Sequence, residues 1–241
     1  MKLIGVTLIR NGNRLEYPWK LCIKRLSSVC NQVWVNCDKY STDNTWKDLV
    51  VIADKNRKVE IVPSIWNMSN TGNGKELAHQ INLILNQLCR CDWVLYLQAD
   101  EFIHENDAEK IRTYLSQLSS DVTQVELYRT YFWKDLNHRS VEDEIWLGRI
   151  FRPNTHLVGG DGMYLVRQYG NVARLDVNIY HYSRLGDEKI VNKRIRTLDS
   201  LFHEADIIKD FEDFSYKTDK KIVEYTGPHP QGIKEFYNKR R

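Results

Sequence analysis

Five cysteines, five prolines and twelve glycines in 241 residues exclude a disulfide scaffold and a Pro/Gly-rich low-complexity chain. The cysteine number is odd and no CxxC pair occurs, so a structural zinc site is not expected either. Cys22, Cys30 and Cys37 lie in periodic apolar segments and Cys89 and Cys91 flank a strand start, which reads as reduced thiols in a cytoplasmic protein. Charge of one sign is not in excess: 35 Lys and Arg stand against 32 Asp and Glu, a net of +3. That balance provides no field for a nucleic-acid partner. Long apolar runs are missing too. None approaches the roughly 18–20 residues of a membrane span, and the opening run Leu3 to Ile9 is cut short by Arg10 and Asn11, unlike a signal peptide.

What is present fits one α/β domain over residues 1–241, with 42% apolar and 28% charged residues. Seven Trp and thirteen Tyr are a modest aromatic excess. Core packing is their commoner use; stacking on a sugar ring or a base is another.

The first hundred residues alternate strand and helix. Leu3–Ile9 reads as a buried strand, and Trp19, Cys22, Ile23, Leu26 and Val29 recur at helical spacing behind Pro18. Val33–Cys37 is a second strand, closed by a polar turn from Asp38 to Thr45; Leu49, Val50 and Ala53 mark a helix and Val59–Ile65 a third strand. After a loop with Gly72 and Gly74, Leu77, Ala78, Ile81, Leu85 and Leu88 share a helix face, and Trp93–Leu97 is the fourth strand. Asp107 caps a helix through Leu118. Strands separated by such helices predict right-handed crossovers and a mostly parallel sheet. The second half is less regular, with strands at Val122–Tyr131 and Ile145–Phe151, shorter ones at Tyr164–Val166 and Val177–Tyr182, and a helix from Ile190 to Phe202.

In open α/β sheets ligands bind beyond the carboxyl ends of the strands. Those ends carry Arg10–Asn11, Asp38 and Asp100–Glu101. Two adjacent carboxylates after an apolar strand need a cation, hydrogen bonds or water around them. A hard divalent ion held by one of them together with diphosphate oxygens meets that need, and a solvated strand end meets it as well.

The order of the pieces resembles family 2 glycosyltransferases. It is carried by an N-terminal strand, then VWVNCDKYSTDNT, a Gly-containing helix start and CDWVLYLQADE. Ser41-Thr42-Asp43-Asn44-Thr45 matches the family's STDGT, and Asp38 falls on the first Asp of VVDDGSTDGT, with Lys39 in place of the second. In the family's DADE the leading Asp is Gln98 here, which leaves Asp100 as the metal residue with Glu101 beside it. The resemblance is good over residues 3–105 and loose beyond.

It implies a GT-A (Rossmann-like) fold, with a nucleotide-sugar-binding half at 1–105 and an irregular acceptor-side half at 106–241. It further implies Mn²⁺ or Mg²⁺ and transfer of a monosaccharide, hexosyl by analogy, from a nucleotide-diphosphate sugar to a glycan or other hydroxyl acceptor, with inversion. Donor contacts are expected from Arg10, Asp38, Lys75, Asn82, Gln98, Asp100 and Glu101. Asp43 is expected to shape the turn before the second helix. The metal ligands implied are Asp100 and a late histidine, His181, with His229 behind it. A base is required to take the acceptor's proton; Asp161 in VGGDGMY comes first, Asp143 and Glu144 next. Arg149 and Arg152, either side of Phe151 and expected on one strand face, would neutralise the leaving diphosphate, with Lys193 and Arg194 as alternatives. Two other readings stand beside this one. A catalytically silent nucleotide-sugar or glycan-binding module is favoured by Gln98 and Lys39. A sugar-1-phosphate nucleotidyltransferase is disfavoured because IRNGNRLEYPW carries only Gly12 where a Gly-rich loop is required.

Overall fold

The computed structural model describes residues 1–70, 72–88, 90–159, 164–165 and 170–239. In chain order these form β1 (Leu3–Ile9), α1 (Trp19–Val29), β2 (Gln32–Asp38), α2 (Thr45–Lys55), β3 (Val59–Ser64), α3 (Lys75–Leu85), β4 (Trp93–Tyr96), β5 (Glu101–Ile103) and α4 (Ala108–Gln117). The second half continues with β6 (Val122–Lys134), β7 (His138–Ser140), β8 (Ile145–Phe151), β9 (Leu157–Gly159), β10 (Tyr164–Leu165), β11 (Asn171–Leu185), α5 (Glu188–Phe202), α6 (Ala205–Ile208), β12 (Ile222–Glu224) and α7 (Ile233–Asn238).

The central sheet runs β3-β2-β1-β4-β8-β6, and β11 pairs with both β6 and β5. β3, β2, β1 and β4 are parallel, as the strand–helix alternation predicts. β8 enters antiparallel between β4 and β6. β6 and β11 extend well past their predicted ends, β6 to Lys134 and β11 from Asn171 to Leu185. In β11 the flanking Arg174, Asp176, Ser183 and Arg184 break the apolar pattern, so periodicity found only its middle. β5, β7 and β12 are three-residue strands, below the length at which a period can be read.

Both faces of the sheet are covered, which is why β1 is apolar at nearly every position. Leu3 and Ile9 face one core with Trp19, Ile23 and Leu26 of α1; Ile4, Val6 and Leu8 face the other with Ile81, Ile84 and Leu85 of α3. Gly5 permits the close approach of α1: a Cβ there would sit 3.1 Å from the Cys30 sulfur and 3.2 Å from Leu26. Cys22, Cys30 and Cys37 are buried free thiols, and burial pushes the Cys30 thiol up to about 12.

One buried ion pair fixes the turn at the end of β4. Glu101 and Arg149, both 0% exposed, meet through two hydrogen bonds: Arg149 Nε donates to Oε2 at 2.9 Å and Nη2 to Oε1 at 2.8 Å. Glu101 Oε2 also accepts the Gln98 amide at 3.0 Å, while the Glu101 amide donates to the Gln98 carbonyl at 3.0 Å. Burial alone would raise the Glu101 pKa, but the Arg149 guanidinium outweighs it and holds the carboxyl at about 2. A fork-to-fork pair of this geometry offsets much of the desolvation cost of two buried charges, whereas either charge left alone would not be tolerated.

Because its folded pKa is depressed, Glu101 contributes stability that is complete above its ordinary value near 4.5 and is lost as pH falls towards 2. Glu101→Gln is expected to lose about 3–5 kcal/mol at pH 7 by urea unfolding. The gap between wild type and variant should narrow between pH 4.5 and 2. A pH-independent gap would show that the pair is not what is lost.

Candidate functional site

The turn held by Glu101 presents Asp100. Its main-chain oxygen accepts the Tyr182 amide of β11 at 3.0 Å, and its carboxylate, in a residue 6% exposed, comes within 3.6 Å of His181 Nε2. The His181 ring packs edge-on against Tyr131 of β6 at 4.8 Å, and its Nδ1 is buried with no hydrogen-bond partner. The nitrogen beside Asp100 is Nε2, and a carboxylate with an imidazole nitrogen next to it is a donor pair that a divalent cation fits. Among the described residues no third His, Cys, Asp or Glu joins them, so remaining ligands would come from water or from a bound substrate.

Asp100 and His181 lie in a cleft of about 340 Å³, within the usual size of a small-molecule site. Arg10 enters from the end of β1, Trp66 and Met68 from the segment after β3, Gln98 from the β4 turn, Arg129 and Tyr131 from β6, Arg184 from β11, and Leu198 and Leu201 from α5. Tyr17 also lines it, its hydroxyl pKa raised by burial and then by the negative charge of Asp100.

Backbone–side-chain hydrogen bonds shape the rim formed by the loops after β1 and β2. Asn11, at a φ of 52°, accepts the Thr42 amide at 2.7 Å and donates its own amide to Ser41 Oγ at 3.2 Å. Asp43 accepts the Arg14 amide at 2.7 Å and the Thr45 amide at 2.9 Å, and Thr45 Oγ1 accepts the Asn13 amide at 3.1 Å. The STDNT run is therefore a staple that fastens the loop after β2 to the loop after β1. Asp38, 1% exposed, accepts Arg10 Nε at 2.7 Å and the Tyr40 amide at 3.0 Å. On the far side a buried network holds Trp66. Asn36 donates to Gln80 Oε1 at 2.9 Å and accepts Ser64 Oγ at 2.8 Å and Trp66 Nε1 at 3.1 Å. Gln80 donates in turn to Glu76 at 2.6 Å. Each member is satisfied, as a buried polar network must be.

Of the residues expected at the site, Arg10, Gln98, Asp100, Asp143, His181 and Arg194 line the cleft together. Several others do not. Glu101 and Arg149 are closed on each other beneath it, so direct donor contact is replaced by support of the turn. Arg152 is at the opposite, amino edge of the sheet, stacked 3.7 Å over Trp93 and donating to the Asp92 and Val122 carbonyls. A spacing of three puts it on the other strand face from Arg149, which corrects the shared face. Asn82 uses both ends of its amide on the Leu157 main chain, at 2.7 and 3.0 Å, and ties α3 to β9. Lys75 is exposed at the start of α3 and does not line the cleft, and Asp38 is covered by the Arg10 it orients. Glu144 is bound by Arg139 and accepts Tyr128 OH at 3.1 Å, outside the cleft. His229 bonds Tyr182 OH at 2.8 Å and the Leu136 carbonyl at 2.9 Å within an aromatic cluster, also outside it. Lys193 donates to the Arg14 carbonyl outside the cleft, and Arg194 lines the cleft but has its guanidinium taken up by the Leu15 and Glu16 carbonyls. Asp161 lies outside the described residues.

Arg129 and Tyr131 were not anticipated, although Leu127, Arg129, Tyr131 and Trp133 share one face of β6 at period two. That alternation was the available signal. Trp66, Tyr17 and Arg184 carried none, because nothing local in the sequence brings them to the same cleft.

No family model matches the chain, and no curated protein matches it in sequence. Solved structures share its architecture. S. aureus TarS 1-349 in complex with UDP-GlcNAc matches with a TM-score of 0.51 at 15% identity, over 83% of this chain and 66% of that one. The same protein in complex with UDP gives 0.50 at 15%, over 82% and 64%. The mannosyltransferase PcManGT from Pyrobaculum calidifontis, in complex with GDP-Man and Mn²⁺, gives 0.51 at 14%, over 88% and 65%. The chain thus spans slightly under two thirds of these longer proteins. At such identities the likeness concerns the fold alone, and that fold is the α/β GT-A fold of nucleotide-sugar glycosyltransferases.

Proposed function

We propose that the protein transfers a monosaccharide, of the hexosyl type, from a nucleotide-diphosphate sugar to a hydroxyl acceptor, with inversion and with a divalent cation. One observation carries the reading: Asp100 and His181 lie 3.6 Å apart in a cleft at the carboxyl end of β4, in a GT-A fold. UDP-GlcNAc in TarS, and GDP-Man with Mn²⁺ in PcManGT, support nucleotide-sugar and metal use as a class. In this reading residues 1–105 hold the donor and residues 106–241 the acceptor within one domain. No described helix is long and apolar enough to cross a membrane. A cytoplasmic setting is part of the proposal, in keeping with the buried free thiols.

The residues divide the work as follows. Arg10, oriented by Asp38, and Gln98 face the nucleoside diphosphate. Asp100 and His181 would hold Mn²⁺ or Mg²⁺, which when bound supplies Lewis-acid stabilisation of the departing diphosphate. Asp143 is the carboxylate on the acceptor side of the cleft and serves as base. Burial pushes its pKa up, but hydrogen bonds from Lys220 at 2.6 Å and Ser140 at 2.6 Å prevail and hold it below the usual range. It is therefore ionised at neutral pH, with lone pairs free to accept the acceptor's proton as that oxygen bonds the anomeric carbon and the nucleoside diphosphate leaves.

A thermal-shift panel of UDP- and GDP-sugars with and without Mn²⁺ tests the donor site. The matching donor at about a hundred times its Kd should raise Tm by about 5–10 °C only when Mn²⁺ is present. Asp100→Asn should remove the metal-dependent part and cut turnover by about 10³-fold or more. A donor shift indifferent to metal and to this substitution would refute the cation assignment. Asp143→Asn should lower kcat about 10²–10⁴-fold with the donor shift retained. A wild-type rate there would move the base to Asp161. A donor shift with no transfer or hydrolysis under any metal supply would mean a silent binding module.

A further inference from the structure

The cleft wall beyond Asp100 and His181 carries positive charge that the donor leaves unexplained. Arg129 on β6 is 8% exposed, and its Nε is buried without a hydrogen-bond partner. Its Nη2 donates to the Asp143 carbonyl at 2.9 Å, and the guanidinium lies 5.1 Å over the Tyr131 ring. Arg184 on β11 is half-buried in the same cleft with its guanidinium 5.3 Å over the Phe214 ring. Neither has a carboxylate partner within salt-bridge distance among the described residues, whereas Arg10 is paired with Asp38 at 2.7 Å. Arg194 has donated to the carbonyls of Leu15, Glu16, Ser183 and Leu185. Desolvated guanidinium N–H groups without acceptors are costly, and planar donor forks suit phosphate and carboxylate.

Strand order decides which substrate these arginines face. Along β1-β4-β8-β6 with β11 beyond, Arg10 ends β1, Asp100 follows β4, and Arg129 and Arg184 belong to β6 and β11. Asp100 thus separates them from the donor side, and Arg129 is bonded to the very residue read as base. We propose that Arg129 and Arg184 recognise an acidic acceptor, a hydroxyl compound bearing a phosphate or carboxylate group, and that they set acceptor specificity. This rests on the transferase reading above. The acid group binds the two arginines, leaving the acceptor's hydroxyl to approach Asp143.

The test uses protein saturated with the nucleoside diphosphate and Mn²⁺ identified by the donor panel. Glycerol 3-phosphate and glucuronate are compared with glycerol and glucose, at equal concentration and ionic strength. At least one acidic probe should raise Tm further while both neutral compounds do not. Arg129→Gln and Arg184→Gln should each weaken that response about tenfold or more in apparent Kd, with the donor shift unchanged. Arg184 is half-buried, so its variant keeps the test open if Arg129→Gln does not fold. Arg129→Lys keeps the charge but loses the fork, and should recover only part of the affinity. A nucleoside diphosphate that competes the acidic probe away would show that the arginines read the donor, and would overturn the proposal. So would an acidic probe that has no effect, or one that binds both Gln variants normally. Absence of any nucleotide-sugar shift would instead overturn the transferase reading itself.

Discussion

The buried pair between Glu101 and Arg149 is the constraint from which the site is built. Glu101 holds the Gln98 amide with the same carboxylate that meets the guanidinium, so the turn between β4 and β5 has one shape. That shape brings Asp100 to the cleft and its carbonyl to the Tyr182 amide, which sets the register of β11 and with it the place of His181. Two adjacent carboxylates thus have opposite roles. Glu101 is sealed from solvent and never faces a ligand; Asp100 is positioned because its neighbour is anchored.

The amino-terminal half was legible because its signals are local. Buried parallel strands are short apolar runs, amphipathic helices repeat every three or four residues, and Asp38, STDNT and QADE sit at strand ends where chemistry concentrates. Locating a residue was easier than assigning its role. Asp38, Asn82 and Glu101 are each turned to a neighbour that cannot be read along the chain: Arg10, Leu157 and Arg149. Polar side chains at strand ends look alike in sequence whether they meet solvent, ligand or a buried partner.

The carboxyl-terminal half was harder for a topological reason. Its cleft residues come from β6, from the turn before β8, from β11 and from α5, and pairings between distant segments bring them together. β11 pairs parallel to β6 with three breaks in register, and one of these lies between His181 and Arg184. Strict alternation across that stretch would send some of these side chains to the wrong face.

Arg194 has a consequence for how the chain is made. Its guanidinium bonds the Leu15 carbonyl at 2.7 Å and the Glu16 carbonyl at 2.8 Å, joining α5 to the first loop across 179 and 178 positions of sequence. A ribosome releases the amino-terminal strands first, and domains ordinarily fold from whatever has emerged. Here the bonds from Arg194 to those carbonyls cannot form until α5 is synthesised. The nascent amino-terminal half therefore waits without that clasp for most of the polypeptide. Closing so long a loop comes late and slowly. A ribosome stalled before α5 would carry a sheet whose first loop is held by the turn after β2 but still lacks the Arg194 clasp.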